Sequence, residues 1–519
     1  MAENDLYLYG AAVQGIQGFI FQTNKLREIV GASELVEKIC TELFVCTLYP
    51  DSEDPLKELE KDKNAVQNAA GNIKYIFTDE AKCKDIVRNF PKIVMEFAPG
   101  ITISQSVVKY REGGFAEAVQ QLERNLRVQR NKPMRDVNIG LMGIRRSRQT
   151  SLPATYIEKK SSEAEYIDAG TYQKLYDSEG KKRTSLVLGQ KIFGENVNSE
   201  RLASEMQDLT SGNDWIAIIH ADGNGLGRVV QQIGTSKEKF RDFSRKLNEA
   251  TVTAARNAFD EIIGTGGDSK IPMRPIVLGG DDLTVICRGD LAIPFTEAFI
   301  ENFEKETKEL LGGILGSVFG ADSNYLTACA GIAFVKSSFP FHYGYKLAES
   351  LCDRAKKDTK KLYNAESGNL PASCLMFHKV QDSFISNFEE ISVRELSPQA
   401  NISFEFGPYY LKEVKLPGVK RWTIKELKER AAQLDSEIGN TVKSHLRNWM
   451  TLLYDDEDMA RQKLERVKTI NKMKEDVIAM TDEALRKESR ERNGEEIEIT
   501  LYPVYDLLAL HTVNTQRTK

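Results

Sequence analysis

Three aspartates in two short motifs carry the chemistry this chain could do. Residues 221–227 read ADGNGLG and residues 279–282 read GGDD. Asp222, Asp281 and Asp282, if brought together, are three carboxylates that repel one another unless a cation neutralises them. All-oxygen donors suit Mg²⁺ or Mn²⁺, the usual companions of nucleoside triphosphates. Metals so held can lower the pKa of a ribose hydroxyl and offset charge on a leaving pyrophosphate, which is what phosphodiester formation needs. Gly223, Gly225 and Gly227 let successive backbone N–H groups converge on an anion, and the helix that follows adds its positive dipole end. Lys356, in RAKKD, lies on a later helix from which it can reach a triphosphate. Each motif also has a plainer reading. GGDD can be a hairpin turn with solvated acids, ADGNGLG an ordinary strand-to-helix turn, and Lys356 a surface residue. The motifs together, in register, favour a metal site.

These residues need a frame. Residues 214–219 read as a strand, 235–263 as a helix, 275–278 and 283–287 as strands around GGDD, 291–311 as a helix, 325–335 as a strand and 344–364 as a helix. That is the βαββαβ order of a ferredoxin-like unit. In it the first strand lies beside the hairpin of the second and third, so Asp222 faces the acidic pair. An earlier series is similar: strand 6–12, helix 23–46, strand 73–77, helix 79–96 and strand 101–109, with room for one more strand. The fold class is therefore α/β (α+β), with two ferredoxin-like units and a helical C-terminal domain. The expected domains are 1–115, a linker at 116–205, 206–380 and 381–519. In the last, 423–492 reads as mostly helical, opened by Thr423 and Glu426 at capping-box spacing. Within it, 483–498 reads as a solvated helix face before a final strand.

Bulk properties limit the classes of function. The chain has 519 residues, a net charge of −5 and 41% hydrophobic content, so it can build real cores and does not coat nucleic acid generally. No apolar run is long enough to span a bilayer, and MAENDLYLYG does not read as a signal peptide. Seven scattered cysteines without a CxxC pair point to core thiols in a reducing cytoplasm rather than to disulfides or structural zinc.

ADGNGLG, GGDD, TACAGIAFV and RAKK resemble the second palm domain of the CRISPR polymerase family, the large subunit of type III CRISPR effector complexes. That palm is also similar to diguanylate-cyclase (GGDEF) domains. GIQGFIFQTNKLREIVGASELV resembles the start of the family's first, non-catalytic palm, and AAGNIKYIF looks like a degenerate counterpart of GGDD there. The resemblance covers most of residues 5–380. It implies a nucleotidyltransferase that joins ATP 3′ to 5′ into cyclic oligoadenylate, a second messenger in antiviral defence sensed by a downstream effector. By position, Asp222, Asp281 and Asp282 are implied as catalytic metal ligands. Gly223, Asn224, Gly225, Leu226, Gly227, Gly279 and Gly280 are implied at the nucleotide phosphates, Ser244 at the base and Lys356 at the triphosphate. In the first palm, Gln14, Gln17, Lys25, Arg27 and Ser33 are candidates for a second triphosphate, with Lys25 and Arg27 read more readily as a solvated helix face.

The chain also departs from the family. The first palm begins within ten residues of Met1, and no histidine is followed by aspartate, so no HD nuclease or DNase activity is expected. The family's zinc cysteines between the palms are missing from IGLMGIRRSRQTSLPATYI, which leaves assembly into a standard effector complex open. Asn224 replaces an acid of the DGD form, which implies weaker metal binding. Residues 124–148 carry eight Arg or Lys against one Asp, either an exposed basic face or a contact for RNA or an RNA-guided complex. Oligomerisation is compatible with all of this. Two rival readings stand: a GTP-using diguanylate-cyclase-like enzyme, and a silent palm-fold scaffold or RNA-binding subunit.

Overall fold

The computed structural model describes residues 5–69, 71–132, 142–159, 164–184, 186–210, 214–233, 236–264, 266, 269–320, 323–363, 370–381, 387–414, 420–434, 437–470, 487–492 and 495–515. The first palm has four strands: β1 (Leu6–Gln14), β2 (Ala65–Ala69), β3 (Asn72–Phe77) and β4 (Thr102–Tyr110). Their spatial order is β2-β3-β1-β4, with every pairing antiparallel. β2 is the strand for which the sequence leaves room. The helix Leu26–Lys38 is buried on nearly every side, whereas Glu80–Phe97 buries one apolar stripe (Cys83, Ile86, Phe90 and Val94) and is capped by Asp79, which accepts from the Ala81 N–H. The helix Phe115–Arg130 covers the opposite face, where Leu122 and Leu126 cluster with Leu8, Val66 and Ile76. Gly10 permits that approach, since a Cβ there would lie 2.6 Å from Leu122.

A hairpin of β5 (Tyr156–Lys159) and β6 (Ala164–Ile167) and the helix Ala169–Leu175 follow. This helix packs so closely on Leu26–Lys38 that a Cβ at Gly31 would fall 1.9 Å from the Lys174 carbonyl oxygen.

The second palm comprises β7 (Trp215–Gly223), β8 (Met273–Gly279), β9 (Asp282–Arg288) and β10 (Ala328–Lys336). β11 (Cys374–Lys379), β12 (Ile402–Ser403) and β13 (Tyr409–Tyr410) come next. The sheet order is β13-β11-β10-β7-β9-β8. Its last four members repeat the order of the first palm, and β11 extends the sheet by pairing parallel to β10. Gly331 of β10 lets the helix Phe341–Leu362 press on the sheet, because a Cβ there would meet the Ala348 carbonyl oxygen at 1.9 Å.

The palms dock reciprocally. The helix Leu26–Lys38 of the first packs on β8, and the helix Lys237–Ile262 of the second packs on β2. Ser33 Oγ donates to the Ile276 carbonyl across one contact, and Lys237 Nζ donates to Asn64 Oδ1 at 3.2 Å across the other.

The C-terminal region holds the helices Ile424–Gln433, Glu437–Asp455 and Glu457–Ile470, and the Thr423–Glu426 capping box forms as its spacing predicts. The helical reading of 483–498 is corrected. β14 (Lys487–Arg492) and β15 (Glu495–Leu501) form an antiparallel hairpin, joined by β12 in a three-stranded sheet. Alternating charges stabilise cross-strand pairs as well as helix faces, and Lys487 Nζ meets Glu498 at 3.0 Å. The rest of the 423–492 expectation, residues 471–486, lies outside the described residues. All seven cysteines are free thiols. Among the described residues, no helix is long and apolar enough to cross a membrane.

Candidate active site

β8 and β9 are joined by the two residues Gly280 and Asp281, with Gly279 opposite Asp282. Gly280 takes the positive φ, +65°, that the tight turn requires. β7 runs antiparallel to β9, and the pairing of Ala221 with Leu283 places Asp222 beside Asp282. The plain and the chemical reading of GGDD are thus both satisfied, since the acids cap a hairpin that abuts the end of β7. One carboxylate oxygen from each of Asp222, Asp281 and Asp282 lies within 4.8 Å of the other two. Gly223 permits the approach, because a Cβ there would stand 3.0 Å from the Asp281 Cβ.

Such proximity has an electrostatic cost. At an effective dielectric of about 20, two unit charges 4–5 Å apart repel by roughly 3–4 kcal/mol. Asp281 and Asp282 are both held well above the usual carboxylate range, by burial first and then by neighbouring carboxylates. Lys356 supplies one compensating charge: its ammonium is bonded to Asp222 and to the Gly223 carbonyl oxygen, 3.1 Å away. Three hard oxygen donors with uncompensated charge are a donor set that fits a divalent cation such as Mg²⁺ or Mn²⁺.

Sequence reasoning missed two residues here. Thr251 Oγ1 donates to the Gly280 carbonyl oxygen at 2.6 Å, and Asn248 Oδ1 accepts from the Gly280 N–H at 3.3 Å. Both project from Lys237–Ile262 and clamp the acidic turn. The signal was a pair of polar residues set among the buried Leu247, Ala250 and Ala254 of that helix.

The ADGNGLG segment behaves unevenly. Gly225 adopts φ +82°, and a Cβ on it would strike Leu370 at 2.3 Å, whereas Gly227 has open space around it. Asn224 is a correction. Its N–H donates to the Thr327 carbonyl at 2.7 Å and its Nδ2 reaches Thr327 Oγ1 at 3.1 Å and Cys329 Sγ at 3.4 Å. It is 1% exposed with its N–H and Nδ2 both engaged, so neither is offered to a phosphate, while its Oδ1 is buried without a hydrogen-bond partner.

A cavity of about 1310 Å³ opens between the palms. Leu226, Ser244, Gly279, Gly280, Asp281 and Asp282 line its second-palm side, with Ala65, Gln67, Asn68 and Asn72 opposite. Lys61, Lys63, Lys237, Arg241 and Arg245 also border it, with Glu238 and Asp242 among them and Asp242 paired to Arg245; the cations outnumber these acids, a setting suited to a polyanion. In the first palm, Ala12 pairs with Asn72 at the place where Asp222 meets Asp282, and Gly71 stands for Asp281. Carboxylates are missing at all three positions, as the degenerate AAGN predicts.

The other first-palm candidates do not line the cavity. Gln17 Nε2 donates to Glu349 at 2.8 Å and Tyr345 at 3.3 Å, Lys25 pairs with Glu28 and Glu165 at 3.2 Å each, and Ser33 bonds β8. Gln14 Nε2 turns back to the Ala12 carbonyl at 3.3 Å, and Arg27 is exposed. Contacts between elements engage Gln17, Lys25 and Ser33. Of the basic stretch, residues 133–141 lie outside the described residues. Elsewhere in it Arg145 stacks over Tyr166 at 3.6 Å and Arg146 bonds the Ser151 carbonyl at 2.7 Å.

Residues 215–364 match the family described as Cas10/Cmr2, second palm domain. A comparison with curated proteins gives no match. Among solved structures, a Csm1–Csm4 cassette in complex with cA4 is 14% identical with a TM-score of 0.56, over 99% of this chain and 70% of that one. The cassette in complex with pppApA is 15% identical with a TM-score of 0.53, over 99% and 69%. Csm1 of T. onnurineus is 16% identical with a TM-score of 0.50, over 99% and 70%. At these identities the likeness is one of fold. Residues 215–364 are therefore similar to the second palm domain of Cas10/Cmr2, and the chain as a whole shares the fold of Csm1.

Proposed function

We propose that this chain is a metal-dependent nucleotidyltransferase that joins ATP 3′ to 5′ into a cyclic oligonucleotide messenger of antiviral defence. The observation that carries the reading is the convergence of Asp222, Asp281 and Asp282 at the edge of a cation-bordered cavity between two palms. The solved relatives of the same fold support it, being described in complex with cA4, pppApA, AMPPNP and ATP.

In this reading Asp222, Asp281 and Asp282 would hold divalent cations, which when bound would supply the charge that lowers the pKa of a ribose 3′-hydroxyl and offsets that of pyrophosphate. Lys356 offsets negative charge beside Asp222 and is placed to meet a triphosphate. Gly279 and Gly280 bring backbone close to the phosphates, and Leu226 and Ser244 border the nucleotide on the other side. Asn248 and Thr251 keep the acidic turn in place. Lys61 and Lys63 of the opposite wall hold the 5′-phosphates of the second nucleotide, so that two substrates meet across the cleft in line. The proposed division is 1–115, 116–205, 206–380 and 381–519, with the helix Phe115–Arg130 packed on the first palm and β13 paired into the second palm's sheet; the chain works as a subunit of an RNA-guided effector complex, as the Csm1–Csm4 cassettes suggest.

Incubating the protein with each nucleoside triphosphate and Mg²⁺ or Mn²⁺, followed by mass spectrometry, tests the proposal. Pyrophosphate together with cyclic or linear oligoadenylate supports it. Cyclic diguanylate formed from GTP supports the rival cyclase. No product with any triphosphate, in the presence of a guide–target RNA complex as well, leaves a scaffold.

A further inference from the structure

The far end of the second palm carries a second cluster of cations. β7 runs from Trp215 to Asp222, a span of ~23 Å at about 3.3 Å per residue. At the Trp215 end, Lys336 of β10 and Lys379 of β11 both lie over the indole, 4.1 and 5.1 Å from its centroid. Arg447, on the helix Glu437–Asp455, adds a third positive charge there. Burial holds the Lys379 ammonium below the usual lysine value, and Arg447 and Lys336 press it further the same way.

Lys379 and Arg447 open onto a cavity of about 700 Å³ between the palm and the C-terminal helices. Arg394 joins them, with Glu395 and Asp455 as the acids of the lining. Tyr454, Tyr505, Met450 and Leu508 are among the rest of the wall. Gln381 Nε2 donates to the Tyr505 hydroxyl at 3.0 Å, and the opposite neighbour of the Tyr505 ring is the buried His378, 5.7 Å away and nearly parallel. His378 Nε2 is itself buried without a hydrogen-bond partner. A volume of this size suits a nucleotide. Guanidinium and ammonium groups take its phosphate, and tyrosine and apolar surface take its base.

We propose that this cavity is a second nucleotide-phosphate site, remote from the three aspartates, that accepts either a free nucleotide or a residue of a single-stranded RNA. The Lys379–Trp215 contact gives it a built-in reporter. A bound phosphate draws the Lys379 ammonium away from the indole and changes Trp215 fluorescence.

The test uses the full chain in EDTA, so that turnover plays no part. AMP and a ten-residue oligouridylate are titrated separately at low salt while tryptophan fluorescence is followed. A saturable change with either probe is expected, lost in Trp215→Phe, weakened about tenfold or more in the double variant Lys379→Gln/Arg447→Gln, and kept in Asp281→Asn/Asp282→Asn. A response to AMP alone assigns a free nucleotide, and a response to the oligomer alone assigns an RNA strand. Calorimetry repeats both titrations. The proposal is overturned if neither probe binds saturably by either method, or if the Lys379/Arg447 variant binds as the unaltered chain does. Either result is independent of whether the aspartates catalyse nucleotide transfer.

Discussion

Lys356 grips Asp222 from the helix Phe341–Leu362, and the same ammonium also donates to the Gly223 carbonyl oxygen at 3.1 Å. A cation arriving at Asp222 must share it with that ammonium. Lys356→Met is therefore expected to bind Mn²⁺ more tightly in calorimetry while its ATP turnover falls by roughly a hundredfold. Weaker Mn²⁺ binding together with unchanged turnover would show the lysine to be only a structural tie.

The acidic pair is held at a cost to stability. Burial and mutual repulsion disfavour the charged forms of Asp281 and Asp282. Asp281→Asn/Asp282→Asn is expected to abolish product formation and, in EDTA, to raise Tm by about 2–4 °C for each ~1 kcal/mol of repulsion relieved. Differential scanning calorimetry and product analysis on one preparation check both halves.

Thr251 anchors the turn through a single hydroxyl, 2.6 Å from the Gly280 carbonyl oxygen. Thr251→Val keeps the shape and removes the donor, at a cost of about 1–2 kcal/mol. Turnover should fall about tenfold as the acids lose their register, with KM for ATP little changed. A variant with wild-type kcat would remove Thr251 from the set of positioning residues.

Gly223→Ala would set a methyl 3.0 Å from the Asp281 Cβ and 2.9 Å from Leu226 Cδ1. Relieving that overlap moves the hairpin away from β7, at a typical overpacking cost of ~1–3 kcal/mol. Circular dichroism should show the fold retained, and the rate of pyrophosphate release should drop by about a hundredfold.

Asp506 is a titration probe well away from the acids. It is buried, accepts a bond from the Tyr409 hydroxyl at 2.6 Å, and is pushed up from 3.8 to about 7, chiefly by burial. Because the folded value is the higher one, the native state holds the proton that the unfolded chain loses. The stability this group contributes is fully present below pH 3.8 and is lost as pH rises to about 7. Asp506→Asn should therefore be more stable than the unaltered chain at pH 8, by ~2 kcal/mol, with the difference shrinking toward pH 4. Urea denaturation at the two pH values reads it.

The sequence by itself determined the features that live within a dozen residues. GGDD could only be a tight turn flanked by apolar strands, and the turn placed two acids at its tip. The order of strands and helices implied a βαββαβ sheet, and that sheet brings the strand ending in Asp222 beside GGDD. AAGN announced a turn without acids, and Thr423 with Glu426 announced a helix start. Tertiary structure decided what each polar side chain meets. Asn224 looked like a ligand until Thr327, 103 residues on, and Cys329 drew it inward. Ser33 and Gln17 were candidates for a triphosphate until β8 and Glu349 engaged them, and Lys25, read more readily as a solvated face, pairs with Glu165 instead. Asn248 and Thr251 gained their role only when their helix crossed the acidic turn. Charge alternation at 487–501 fits a helix face and a strand pair equally, and β12, 85 residues before the start of β14, closes a sheet there. Periodicity and turn chemistry are local properties of the chain, whereas the partner of a hydrogen-bonding group is set by whichever distant element packs against it.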